Sequence, residues 1–204
     1  MAVIHRAQLT PTKLEAIVDW LPSQPWGGPV GDEAAVAGRF RFDDPAGEVG
    51  VETLLVRVGD RVLQVPLTYR GALLEGAGEF LVTEMDHSVL GRRWVYDAAG
   101  DPVYADTVRR AIATGGHEAD LQHAVDGRFE PGSKEGFAVG SGSAADSPTV
   151  SAVRVRTQGA LTTIATGHGD LVLLREVGAA APAGETLTGT WGDGDPQVLV
   201  VLTD

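Results

Sequence analysis

Histidines and carboxylates crowd one short stretch, His117-Glu118-Ala119-Asp120-Leu121-Gln122-His123, so metal binding is the first chemistry to weigh. A zinc pair on one helical face needs histidines at i and i+4, and His117 and His123 do not have that spacing. The expectation is a solvated polar segment. Asp86-His87 has the composition of an acid/base pair, but neighbours in a strand point to opposite faces, which favours a turn. Glu48 and Glu52 could share a strand face as a carboxylate pair; a solvent-facing polar row explains them equally well. Ser141-Gly142-Ser143 lacks the strand-turn-helix setting of a nucleophile elbow. Gly136 to Gly140 lacks the Lys-Ser/Thr pair of a phosphate-cradling loop. The chemistry-bearing residues therefore point away from an enzyme and imply no cofactor and no metal.

Aromatic residues beside arginines offer a different chemistry. Trp94 and Tyr96 alternate onto one strand face, and Tyr69-Arg70 ends a neighbouring candidate strand. Stacking on sugar C–H faces, with charge-assisted hydrogen bonds to hydroxyls, needs such a surface. Trp26, between Pro25 and Gly27, is the best candidate for a displayed loop aromatic. The competing reading packs Trp94 and Tyr96 as core against the first helix, since large aromatics are mostly buried.

Composition narrows the partners. The chain has 204 residues, 43% of them hydrophobic, enough for a sizeable core in one domain or two small ones. A formal net charge of -12 repels nucleic-acid backbones and anionic membranes. The absence of cysteine removes disulfides and thiolate chemistry. The N-terminal residues lack the apolar run of a signal peptide and no later segment is long enough to span a bilayer, so a cytoplasmic location is expected.

The elements that must hold these residues are legible in part. Thr10-Pro11 gives a helix-start signal ahead of Leu14, Ile17, Val18 and Leu21, which fall at i, i+3, i+4 and i+7. Ala35 to Phe42, Val49 to Val58, Arg61 to Tyr69 and Phe80 to Met85 read as strands, with Gly59-Asp60 a hairpin turn. Pro66 places its strand at an edge or a bulge. A strand through Trp94 and Tyr96 leads into a helix with Asp101 as N-cap and Pro102 at its first position, closed by Gly115-Gly116. His117 to Val125 is expected to add a helical turn or two. The predicted fold is α+β, a curved antiparallel sheet packed with helices over residues 1–127. A flexible Gly/Ser-rich linker over 128–148 and a small antiparallel β unit over 149–204, docked on the first sheet, follow.

Taken together, VPLTYR at Val65 to Arg70 and the Trp-Val-Tyr-Asp-Ala segment ahead of an Asp-Pro helix resemble the N-terminal cap domain of actinobacterial maltokinases, from about Leu9 to Gly115. In that family a kinase-like N-lobe follows the cap. Val153 to Val177 is similar to a worn version of its hairpin, with Gln158 and Thr162 or Thr163 echoing the phosphate loop, but Leu174 stands where the phosphate-binding lysine belongs. His168-Gly169-Asp170-Leu171 spells the start of the superfamily's catalytic loop; the metal-holding polar residue that should follow is replaced by Val172-Leu173-Leu174, and a hairpin turn is simpler. The chain also ends before a helical C-lobe. The resemblance implies a non-catalytic accessory or interaction protein of α-glucan or trehalose metabolism, with a protein of that metabolism or an α-glucan as partner. The alternative is a carbohydrate-binding module using Trp94, Tyr96, Tyr69, Arg70 and Trp26.

Overall fold

Thr12, rather than Thr10, caps the first helix. Its hydroxyl accepts from the Glu15 backbone N–H while the Glu15 carboxylate accepts from the Thr12 N–H, a reciprocal capping box that satisfies two orphan donors. The computed structural model describes residues 2–4, 7–31, 33–125 and 128–204, with the backbone alone at 2–4, 122–125 and 128–131. Strands β1 (Ala2–Ile4) and β2 (Leu9–Thr10) precede helix α1 (Lys13–Trp20). Next come β3 (Ala35–Asp43), β4 (Gly50–Val58), β5 (Arg61–Arg70), β6 (Leu81–His87) and β7 (Gly91–Asp97). Helix α2 (Pro102–Thr114) is followed by β8 (Leu121–Val125), β9 (Arg128–Pro131) and β10 (Phe137–Gly140). The last strands are β11 (Arg154–Gln158), β12 (Leu161–Ala165), β13 (Asp170–Leu174), β14 (Glu185–Thr190) and β15 (Gln197–Thr203).

Strands of the first half form an antiparallel sheet in the order β2-β6-β7-β5-β4-β3. The β4–β5 turn has Gly59 at φ 59°, the left-handed geometry that a two-residue hairpin demands and that glycine adopts without a Cβ penalty. One face carries Leu54, Val56, Leu63, Val65, Leu67 and Val95 onto Ile17 and Leu21 of the α1 segment. The opposite face presents Phe40, Phe42, Val51 and Leu55 to α2 and the second sheet. Coverage on both sides explains why β4 is buried without interruption from Val51 to Val56.

Pro66 marks a change of partner along β5. From Leu67 onward the outer edge of β5 pairs with β7, whereas Gln64 N–H donates to the Arg175 carbonyl at 2.8 Å. Two residues on from Gln64, the Pro66 nitrogen faces the same edge, in the gap between the two partners, where a missing N–H costs nothing.

The second sheet is antiparallel with order β10-β14-β15-β13-β12-β11. Its inner face, through Ile164, Leu171, Leu173, Leu187, Leu199 and Val200, shares one continuous core with α2 and the first sheet. The expected docking of the C-terminal strands is thus met by a common core, and the molecule is mostly β with two α-helices among the described residues. None of the described helices is long and apolar enough to cross a membrane.

Two expectations are corrected. Residues 121–125 form strand β8, parallel to β1 and antiparallel to β9, not helical turns. The stretch 128–148, expected as a flexible linker, supplies strand β9 and then β10, which pairs with β14. Beyond β10 its backbone is tied down: Gly142 N–H donates to the Ile112 carbonyl and Ala144 N–H to that of Ala113, both at 2.8 Å. Gly140 and Gly142 are needed at this contact, since a Cβ on either would come within 1.9 Å of the Ala111 or 2.3 Å of the Ala113 carbonyl oxygen at the end of α2.

Candidate functional site

A cleft of about 600 Å³ opens on the α1 side of the first sheet. Lys13, Arg41 and Tyr69 line it, and Glu52 lies beneath them, bonded to Lys13 and Tyr69. Register places Arg41 opposite Glu52 across β3 and β4, and Gly50 opposite Tyr69 across β4 and β5. Glu52 is buried, with 3% of its surface exposed. It accepts from the Lys13 ammonium at the start of α1 and, at 3.0 Å, from the Tyr69 hydroxyl. Lys13 also sits 5.2 Å from the Tyr69 ring centre. A Cβ at Gly50 would come within 3.2 Å of the Arg41 guanidinium and 3.4 Å of the Tyr69 side chain, so glycine there lets the two approach.

Electrostatics of the floor follow from this packing. Burial pushes the Glu52 carboxyl up, but the Lys13 and Arg41 charges and the bonds from Lys13 and Tyr69 outweigh it and hold the group below its ordinary value. Burial and the neighbouring Glu52 charge both push the Tyr69 phenol well above its ordinary value, so it stays a donor. At the mouth, the Asp44 carboxylate accepts from the backbone N–H groups of Ala46, Glu48 and Val49 at 2.9–3.0 Å and fixes the β3–β4 turn. On the far hairpin, His87 Nδ1 accepts from Val89 and Leu90 N–H, a turn role rather than an acid/base pair with Asp86.

A second, smaller cavity of about 220 Å³ lies where the sheets meet, with Trp26, Asp97 and Arg175 in its wall. Arg175 is 1% exposed and donates to both Asp97 carboxylate oxygens, at 2.6 and 3.1 Å, and through Nε to Thr162 at 2.9 Å. Its guanidinium lies 4.5 Å from the Trp26 ring centre.

Residues 20–101, from the last residue of α1 to the N-cap of α2, match the maltokinase N-terminal cap domain. This part of the chain is a maltokinase-cap-like domain. No curated protein matches the chain. Arg41, Glu52 and Tyr69 lie within the matched span, while Lys13 precedes it.

Within the cap-like domain the five aromatic and arginine candidates do not converge. Trp94 stands opposite Arg70 and Tyr96 opposite Thr68, which puts Trp94, Tyr96 and Arg70 on one face. Tyr69 pairs with Val95 and faces the other way, into the large cleft. Tyr96 is 1% exposed and its hydroxyl accepts from Leu74 N–H at 2.9 Å; Trp94 is half-buried. It is Val95, not Trp94 or Tyr96, that packs toward α1. Both bonds of Arg70 go to Asp101, at 2.7 Å each, so it anchors the start of α2. Trp26 is not a displayed aromatic: it is buried edge-on against Trp20 at 5.6 Å and capped by Arg175.

Elsewhere the sequence candidates resolve into structure. Glu118 accepts from Lys134 and from Ala138 N–H, and Asp120 accepts from the same lysine. The His123 side chain lies outside the described residues, and among those described no three metal-ligating side chains gather. Ser141 pairs its backbone and hydroxyl with Thr186. In the His168-Gly169 turn the Thr166 hydroxyl donates to the Gly169 carbonyl at 2.6 Å, and Asp170 opens β13. Glu52 and Arg175 are what sequence reasoning missed. Glu52 was expected in a solvent-facing row; its burial could be read only from the apolar run on both its sides, Val49 to Val58.

Proposed function

We propose that the protein is a non-catalytic accessory or interaction protein built on the cap-like domain and serving α-glucan or trehalose metabolism. The observation that supports this reading is Leu174. Leu174 stands where the resemblance to a kinase N-lobe hairpin would put the phosphate-binding lysine, and its side chain is 1% exposed and packs with Val172 and Val201. A leucine held there contributes no charge to a nucleotide phosphate. The reading is tested by incubating the purified chain with ATP and maltose, glucose or glucosamine. No phosphorylated sugar is expected; turnover that Leu174→Ala leaves unchanged would overturn it.

A second reading, a carbohydrate-binding module, draws support from the Tyr69 cleft, which is large enough for a small saccharide and offers an aromatic edge beside arginine donors. It moves the sugar surface away from half-buried Trp94 and from Tyr96, Arg70 and Trp26, whose polar or aromatic groups are engaged inside the molecule. Calorimetric titration with maltose and maltooligosaccharides tests it. Absence of heat at millimolar sugar would remove these ligands.

A further inference from the structure

We infer that the open edge of β11 takes up an extended segment of a partner protein with acidic side chains at alternate positions, facing Arg154 and Arg156; this deepens the interaction-protein reading and rests on it. β11 is the last strand of the second sheet, paired with β12 on one side alone. In an antiparallel pair every second residue turns its N–H and C=O away from the partner strand. The two-residue turn at Gly159-Ala160 closes on the Gln158–Leu161 pair, so on β11 the outward groups are those of Val155 and Thr157. No described residue bonds to them. The turn 98–100 approaches both β11 and β12 and packs with Val155, which places it beneath the sheet and leaves the edge free.

Charge then selects the partner. Arg154 and Arg156 lie two residues apart on the outer face, about 7 Å along the strand. Both are exposed, and neither makes a hydrogen bond or ion pair with a described residue. Directly opposite them β12 offers only Ala165 and Thr163. In a chain of net charge -12, this is a free basic pair on a strand whose backbone can still bond. A second copy added antiparallel would set arginine against arginine, so the same two charges that deter self-pairing favour Asp or Glu at those places. The other side chains of an added strand point inward, toward the cavity of about 220 Å³ that Val155 and Thr157 help to line. It has room for one side chain, and exposed Glu79 in its lining disfavours a further acid there. The pattern selected is acidic, neutral, acidic. Main-chain bonds supply affinity and the alternating side chains supply specificity.

Three capped hexapeptides test this by NMR titration of the full chain at pH 7 and low salt: Thr-Glu-Thr-Glu-Thr-Glu, the same residues in blocks as Thr-Thr-Thr-Glu-Glu-Glu, and Thr-Lys-Thr-Lys-Thr-Lys. Saturable binding of the alternating acidic peptide is expected, about fivefold or more tighter than either of the others. Amide shifts centred on Val155 and Thr157, with slower exchange of both amides at saturation, should accompany it. Arg154→Glu/Arg156→Glu, altered only at exposed positions, should turn the preference toward the lysine peptide. Equal binding of the alternating and block peptides, or binding without protection of the two amides, would mean ionic attraction alone and overturns the assignment. Failure of the acidic peptide to bind overturns it as well and leaves the arginines as guards of the edge. Each of these failures leaves the non-catalytic reading standing, since the phosphotransfer assay decides that separately.

Discussion

Arg175 and Asp97 stand 78 positions apart and meet inside the molecule, two guanidinium nitrogens on two carboxylate oxygens. Asp97 ends β7 and also accepts from Ala99 N–H, so it sets the turn that leads into α2. Arg175 leaves β13, takes the Ala160 carbonyl with its backbone N–H and gives its own carbonyl to Gln64. One ion pair thus joins the first sheet, the approach to α2 and the second sheet. With Nε on Thr162 and the ring of Trp26 beneath, the guanidinium is satisfied by protein partners while the residue is 1% exposed.

Arg175→Leu should therefore destabilise the fold by about 3–5 kcal/mol, because it strands the Asp97 charge in the interior. Urea denaturation followed by circular dichroism measures this. The double variant Arg175→Leu/Asp97→Leu should recover part of the loss, and equal destabilisation in both would mean that the stranded charge is not the cause.

Glu52 makes stability depend on pH. Its carboxyl is held below its ordinary value of 4.5 in the folded chain, so the folded state favours the charged form. The associated stabilisation is complete above the unfolded value and is lost as pH falls through 4.5 and on through the lower folded value. Melting temperature recorded from pH 7 downward should fall more steeply for the unaltered protein than for Glu52→Gln, which starts lower because Lys13 loses its partner. Parallel curves would show that Glu52 does not carry the acid sensitivity.

Much of the first sheet was legible because its strands announce themselves by alternation and its turns by Asp-Pro-Ala-Gly and Gly-Asp. The helix boundaries at Asp101-Pro102 and Gly115 were likewise local signals. What local patterns could not carry was pairing at a distance. Glu185 to Thr190, with Thr186, Thr188 and Thr190 and a glycine at one of its two buried positions, gave no apolar run, yet it is β14, held between β10 and β15. Tyr69 and Arg70 are adjacent in sequence and were grouped as one surface; the pleat sends one to the Glu52 cleft and the other to Asp101. Glu52 was expected in a solvent-facing row and Arg175 was not singled out, since burial of a charge depends on a partner that no local window contains.

Tyr104 lies on α2 with its hydroxyl buried and without a hydrogen-bond partner, and burial pushes the phenol above its ordinary value. Removing that hydroxyl removes a desolvated group while keeping the ring. Tyr104→Phe should be neutral or stabilising by about 1 kcal/mol in the same urea assay. A loss of more than that would show that the hydroxyl is bonded in solution, for example through a buried water.

Gly140 tests whether the segment after α2 is an integral part of the fold. It ends β10 opposite Leu187, and a Cβ there would lie 1.9 Å from the Ala111 carbonyl oxygen and 2.8 Å from the Ile112 Cα. The obstacle is helix backbone, which cannot step aside as a flexible side-chain tip would. Gly140→Ala must displace β10 from the end of α2, and with it the hydrogen bonds from Gly140 to Gly116 and from Gly142 to Ile112. Overpacking of this kind costs about 1–3 kcal/mol. Limited proteolysis gives the second reading of the same contact. In the unaltered protein the 141–147 stretch should resist cleavage under native conditions, because its backbone is bonded to α2 and β14. Gly140→Ala should open it to cutting between Ser141 and Ser147. Rapid cleavage there in the unaltered protein would mean that the stretch is a loose joint after all, and that β10 is held by β14 alone.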